Sequence, residues 1–209
     1  MYALVVNNSI TKVFPGPKGF EHNGNQYSPD IFYKWSKAEK EAIGLYEVTT
    51  DSTNYKDTKW YINTNESFAF ANNTVTRSWG TATAKAHADT LWTQQDSDDG
   101  DLPDDKEVGD VKVEGLKTQL IRTIKQQAAG ILQDTDWYIV RKADAGTAVP
   151  SAITTHRTAV RTKAAEMETA ITNASDTPAL ETLYTYVNTG TEENPVYERP
   201  LGELPTLES

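Results

Sequence analysis

The sequence predicts an α+β fold in two parts: a small β-rich N-terminal domain carrying one short helix, then a C-terminal helical hairpin or bundle. Three observations carry this reading. Short apolar bursts separated by Asn, Gly and Pro fill residues 1–95. Apolar residues at helical spacing fill residues 115–190. Between them, residues 96–114 hold nine acids against two lysines, −7 of the chain's net −10. A chain of 209 residues suffices for one average domain or two small ones.

Tyr2-Ala-Leu-Val-Val6 reads as a strand, Asn7-Asn8 as its turn and Thr11-Lys-Val-Phe14 as the returning strand. Pro15-Gly-Pro17 ends it, because proline cannot donate to a ladder. His22–Tyr27 reads as a loop or hairpin tip. Ser28-Pro29 opens a short helical piece with Ile31, Phe32, Trp35, Ala38 and Ile43 as its apolar side, and Ser36-Lys-Ala-Glu39 fits a capping box. Gly44 stops the helix, and Leu45–Val48 returns to strand. Lys59–Ile62, Ser67–Phe70 and Thr74–Trp79 read as further strands, the last two joined at Asn72-Asn73. An antiparallel meander with one inserted helix is the expectation.

The acidic block 96–114 has two readings. Clustered carboxylates suit calcium, but no glutamate closes the loop at the twelfth position of an EF-hand. A self-repelling, solvated linker is the reading adopted. Beyond it, Ile121, Ile124, Ala128 and Ile131 step by helical intervals, as do Val160, Ala164, Met167, Ile171 and Ala174. Such spacing makes a helix-on-helix seam, in an intramolecular hairpin or in a trimeric bundle. Ile153 and Arg157 fall in register with that seam. An arginine buried there needs a partner, and Asp134 or Asp136 is nearest in sequence. Arg161, four residues on, shares its face and is expected to be solvated. Trp137 is expected as a core plug under the hairpin. Asp176-Thr-Pro178 starts a third helix, and residues 191–209 form an extended, proline-punctuated tail.

Little here points to chemistry. The chain has no cysteine, which removes thiolate metal sites and a cysteine nucleophile. His22, His87 and His156 lie in unrelated contexts, and no nucleophile elbow or phosphate-cradling glycine loop occurs. No enzyme, metal site or cofactor is therefore expected. The lack of a basic patch disfavours nucleic acid. No apolar run reaches membrane-spanning length, and Met1-Tyr-Ala-Leu-Val-Val lacks the basic start of a leader.

One order of features does point to a function. Leu132-Gln-Asp-Thr-Asp136-Trp137 is followed by Tyr138-Ile-Val-Arg141, a Gly146-Thr-Ala-Val-Pro150 turn, and Thr155-His-Arg157-Thr-Ala-Val160-Arg161 on a helical pattern. This resembles the C-terminal region of the tail fibre assembly chaperones of tailed bacteriophages, some of which are virion components. The match is best over residues 116–174; Tyr33-Lys-Trp35-Ser36 with Ala42-Ile-Gly44-Leu45-Tyr46 resembles an upstream motif of related phage proteins. His156 stands where the family usually has an aromatic, and the region between the two matches is longer.

The resemblance implies a non-enzymatic tail protein that organises or attaches fibres, in the virion tail or in the host cytoplasm during assembly. Its implied partners are tail fibre, other tail or baseplate proteins and further copies of itself, as trimer or hexamer. Asp136, Trp137, Arg141, Ile153, Arg157, Val160, Arg161 and Met167 are the candidate contact residues. Two other roles stay open: a transient chaperone absent from the particle, and a receptor- or carbohydrate-binding module. The last requires exposed faces on Trp60, Trp79 and Trp92.

Overall fold

Successive residues of a strand point to opposite faces, and the first strand uses both. Leu4 turns into a cluster with Phe14, Phe20, Ile31, Phe32 and Leu45, while Ala3 and Val5 pack with Val75 on the other side. These are the two cores of the first unit of a computed structural model that describes residues 1–207. The chain divides into two compact units, Met1–Thr83 and the residues from Ala84 on. The architecture is mixed α/β, β-rich at the front and mostly helical at the rear.

The first unit holds β1 (Tyr2–Val6), β2 (Ser9–Phe14), β3 (Phe20–His22), β4 (Asn25–Tyr27), α1 (Ile31–Lys34), α2 (Lys37–Ala42), β5 (Leu45–Thr50), β6 (Tyr61–Ile62), β7 (Ser67–Ala71) and β8 (Thr74–Ser78). The two-residue β9 (Thr83–Ala84) spans the boundary between units. The main sheet runs β2-β1-β5-β8-β7. Its hairpins turn at Asn7-Asn8 and Asn72-Asn73, all four with positive φ, the backbone that two-residue hairpin loops demand. The sheet is not the expected meander throughout, because β5 and β8 pair parallel. That pairing joins residues far apart in sequence, which no local pattern encodes. The capping box forms: Ser36 Oγ accepts from the Glu39 amide, and the Glu39 carboxylate accepts from the Ser36 amide at 2.7 Å. Gly44 has φ +80°, and a Cβ there would lie 2.4 Å from the Val5 carbonyl oxygen. Only glycine fits so close to β1.

The second unit holds β10 (Thr90–Leu91), α3 (Gln94–Asp98), β11 (Val111–Val113), α4 (Leu116–Gln133), α5 (Asp136–Ala145), α6 (Ser151–Asn173), α7 (Thr177–Tyr184), β12 (Val187–Asn188) and β13 (Tyr197–Glu198). α4 and α6 pack antiparallel: Lys117 Nζ donates to the Thr172 carbonyl at 2.8 Å, and Lys125 pairs with Glu168 at 3.4 Å. α6 buries Ile153, Val160, Ala164, Met167 and Ile171, the row its spacing predicts. α4 buries Leu116, Leu120, Ile124 and Ala128, an unbroken i, i+4 ridge. Ile121 and Ile131 are consequently turned to its edges, half-buried.

The acidic stretch is folded rather than an open linker. Thr93 caps α3 by accepting from the Asp96 amide, and β11 pairs with β10 to close the loop. Lys112 ion-pairs with Asp96 and lies over the Trp92 ring, 4.3 Å from its centroid. Lys112 and Thr93 together pull the Asp96 carboxyl down to about 2. One lysine and one cap thus hold the base of a loop whose other acids stay solvated.

The start of α4 is met by the strap before it. Leu116 and Lys117 amides donate to the Ala86 and His87 carbonyls at 3.0 Å, and Asp89 accepts from the Gly115 amide (2.7 Å) and the Thr118 hydroxyl (2.8 Å). These bonds satisfy amides that a helix start leaves without partners. A Cβ on Gly115 would sit 2.3 Å from the Ala88 carbonyl. The tail is not simply extended either. β13 pairs with β12, Leu201 is buried, and its amide donates to the Leu183 carbonyl at 3.0 Å. The end of the predicted tail, residues 208–209, lies outside the described residues. No helix among the described residues is long and apolar enough to cross a membrane.

Candidate functional site

The hinge between α4 and α5 is built around one buried arginine. α4 ends at Gln133 and α5 begins at Asp136, so two residues make the turn. The last carbonyls of a helix lack intrahelical partners and carry partial negative charge. Arg157, on α6, meets them. Its Nη1 donates to the Leu132 carbonyl at 2.7 Å and to Thr135 Oγ1 at 2.6 Å, and its Nη2 donates to Asp136 Oδ1 at 2.8 Å. Thr135 passes its own hydroxyl proton toward the Leu132 carbonyl at 3.0 Å.

The electrostatics are consistent along this chain of bonds. A guanidinium sits at the negative end of α4, and a carboxylate sits in the first turn of α5. Thr135 and Arg157 are buried, at 3% and 7% exposure. The Asp136 side chain is 56% exposed, so the ion pair is one-sided: a buried cation meeting a wet carboxylate. Of the two partners expected for Arg157, the structure selects Asp136. Arg157 Nε remains buried without a hydrogen-bond partner.

Trp137 departs from expectation. It is 52% exposed, not a plug beneath the hairpin. The reason is helical geometry. With Asp136 aimed at Arg157, the next residue projects about 100° further round α5, away from the hinge. The space under the turn is filled by Thr135 and Arg157 instead. The Trp137 ring contacts Tyr138, with centroids 3.8 Å apart, and the Arg141 guanidinium lies 4.7 Å from the Trp137 centroid and 5.4 Å from that of Tyr138.

The eight candidate residues therefore separate into three groups and one lone arginine. Ile153, Val160 and Met167 are buried in the α4–α6 seam. Arg157 and Asp136 make the hinge. Trp137 and Arg141 form an aromatic–cation stack on α5, while Arg161 is exposed one turn beyond Arg157. α5 itself buries no residue: Trp137, Ile139 and Val140 are all exposed, Val140 by 65%. α5 is not among the helices that the sequence pattern predicts. Gly146, at φ +66° just after Ala145, is the stop signal that marks it.

Other surfaces hold less. The groove along α6 beside Glu203 and Pro205, of about 620 Å³, is lined by four threonines with Ala159, Lys163 and Glu166. No cluster of three or more His, Asp or Glu able to hold a metal occurs among the described residues. Trp60 is buried, Arg77 lies 4.4 Å from the centroid of Trp79, and Lys112 covers Trp92. Compared with known proteins, the chain matches no family model, no curated protein and no solved structure.

Proposed function

We propose that this chain is a non-enzymatic bacteriophage tail protein that organises or attaches tail fibres and is retained in the virion. The observation that carries the reading is the contact between Arg157 and Asp136. Asp136 and Arg157, two of the residues that motivate the family resemblance, are far apart in sequence, yet they meet as one device, with Trp137 turned away from it. That device clamps two antiparallel helices and sets a third, α5, outside them with its apolar side chains exposed.

A helix of ten residues that buries nothing of its own has little to stabilise it in water. It makes physical sense as a contact element for other protein. Further exposed apolar side chains lie on the β12–β13 pair, including Val187 and Tyr197. Surfaces of this kind, edged by polar residues, mark protein–protein contacts. A carbohydrate-binding role is less well supported, because sugar stacking needs bare indole faces and cations lie over Trp79 and Trp92.

The experiment is mass spectrometry of purified particles of a phage that encodes this chain, with copy number. Recovery in a fixed ratio to fibre or baseplate protein supports a structural tail component. Abundance in infected cells with none in particles overturns retention and favours the transient chaperone.

A further inference from the structure

The bend between α4 and α5 has no helix breaker in it. Residues 131–145 contain neither glycine nor proline. Asp134 keeps helical angles, and Thr135 departs from them, at φ −114°, ψ 4°. A helix bent without such residues is bent where a side chain inserts into its backbone ladder. Arg157 is that side chain. In an unbroken helix the Leu132 carbonyl would accept from the Asp136 amide. Here it accepts from the Thr135 amide at 3.1 Å, the Thr135 hydroxyl at 3.0 Å and Arg157 Nη1 at 2.7 Å. Arg157 Nη2 meanwhile holds the Asp136 carboxylate at 2.8 Å.

The chain on either side fits a straight helix. Ala128, Ile131, Thr135 and Tyr138 step by helical intervals. Joining α4 to α5 would therefore carry the buried ridge of α4 on toward the first turns of α6, where Ile153 and His156 lie buried. α5 would then extend an established helix, which costs less than standing alone at ten residues. The return to α6 is also within reach. Straightened, α5 runs about 15 Å past the hinge, and α6 from Arg157 back to Ser151 runs about 9 Å the same way. Residues 146–150 then cover about 6 Å along the axis and about 8–10 Å across, and they can span about 17 Å.

We infer that the hinge is a two-state latch. With Arg157 on Leu132 and Asp136 the chain bends; with Arg157 withdrawn, α4 and α5 join into one helix over residues 116–145, about 45 Å long. Arg157 is thus a positioning residue that selects between two arrangements of one segment. The latch is independent of the tail reading, which virion composition tests separately.

The chain has no cysteine, so spin labels on Gln126→Cys and Asp144→Cys, both at exposed positions, report a single distance. In a straight helix the two backbones lie about 27 Å apart, and a bend shortens this. Pulsed electron paramagnetic resonance on the full labelled chain should give the shorter distance. Arg157→Met, which keeps an apolar stem and removes the donors, should lengthen it to about 27 Å with helicity by circular dichroism undiminished. Arg157→Lys, which keeps a donor for Leu132, should restore the bent distance. Asp134→Ala with Thr135→Ala removes the bridging hydroxyl and raises helix propensity, and it too should lengthen the distance. An unchanged distance in folded Arg157→Met, or in the double variant should Arg157→Met not fold, would overturn the inference. So would a fall in helicity that marks an unfolded α5, or a straight distance already present in the labelled protein with its hinge intact.

Discussion

Replacing Arg157 with alanine removes three donated hydrogen bonds at once, and the geometry sets the expected cost. Two go to buried or backbone acceptors, Thr135 Oγ1 and the Leu132 carbonyl. Hydrogen bonds from a charged donor contribute about 1.5–3 kcal/mol each, and an acceptor left buried without one loses its desolvation as well. The third, to Asp136, is discounted because that carboxylate is more than half exposed and screened by water. The orphaned Nε and the burial of the guanidinium itself offset part of the gain. The balance is a loss of about 3 kcal/mol, or roughly 10 °C in the melting temperature of a unit this size. Asp136→Asn should cost under about 1 kcal/mol. Arg157→Lys should fall between, since one ammonium cannot fork between Leu132 and Asp136. Guanidinium unfolding followed by far-ultraviolet circular dichroism measures all three. If Arg157→Ala lies within about 1 kcal/mol of wild type, or Asp136→Asn matches it, the hinge is not organised by a buried guanidinium on helix-end acceptors.

Further outcomes follow from the same structure. Asp96 is pulled down to about 2 by Lys112 and Thr93, so its contribution to stability is complete above the ordinary carboxylate range near pH 4 and fades as pH falls toward 2. Asp96→Asn should remove that pH dependence, and Trp92 fluorescence, sensing Lys112 over its ring, should report both. Gly115→Ala should destabilise the second unit by more than about 1 kcal/mol, because a Cβ there meets the Ala88 carbonyl; thermal melting decides, and an unchanged midpoint refutes the tight approach. Trp137→Ala should change stability by less than about 1 kcal/mol, since the ring is half exposed, whereas a core plug would cost about 3–5 kcal/mol.

Legibility in the sequence followed the range of the interaction. The α6 row from Ile153 to Ile171 was readable because helical periodicity is a local signal. The Ser36–Glu39 capping box and the Asn-Asn hairpins were readable for the same reason. Arg157 is legible because a seam position cannot hold an unpaired charge, and Asp136 is one of the two acids near enough in sequence to pair with it. The parallel pairing of β5 with β8 was not readable, because nothing in either strand names the other.

In the acidic block, net charge masks the local chemistry that folds it. Thr93-Gln-Gln-Asp96 is itself a cap signature, and Lys112 lies sixteen residues from the acid it binds. Burial tendency alone places Trp137 inside. Its outward direction follows only once Asp136 is fixed on Arg157 and α5 is recognised as a helix. The hinge was thus half visible: its residues could be named, but not which of them would be buried.

The most direct test of the tail reading is the protein content of purified virions of a phage encoding this chain. Retention in the tail predicts recovery at a fixed copy number, a multiple of three or six, alongside the fibre or baseplate proteins. Its absence from intact particles, with the protein abundant in the infected cell, would contradict that reading and make the chain a transient assembly factor.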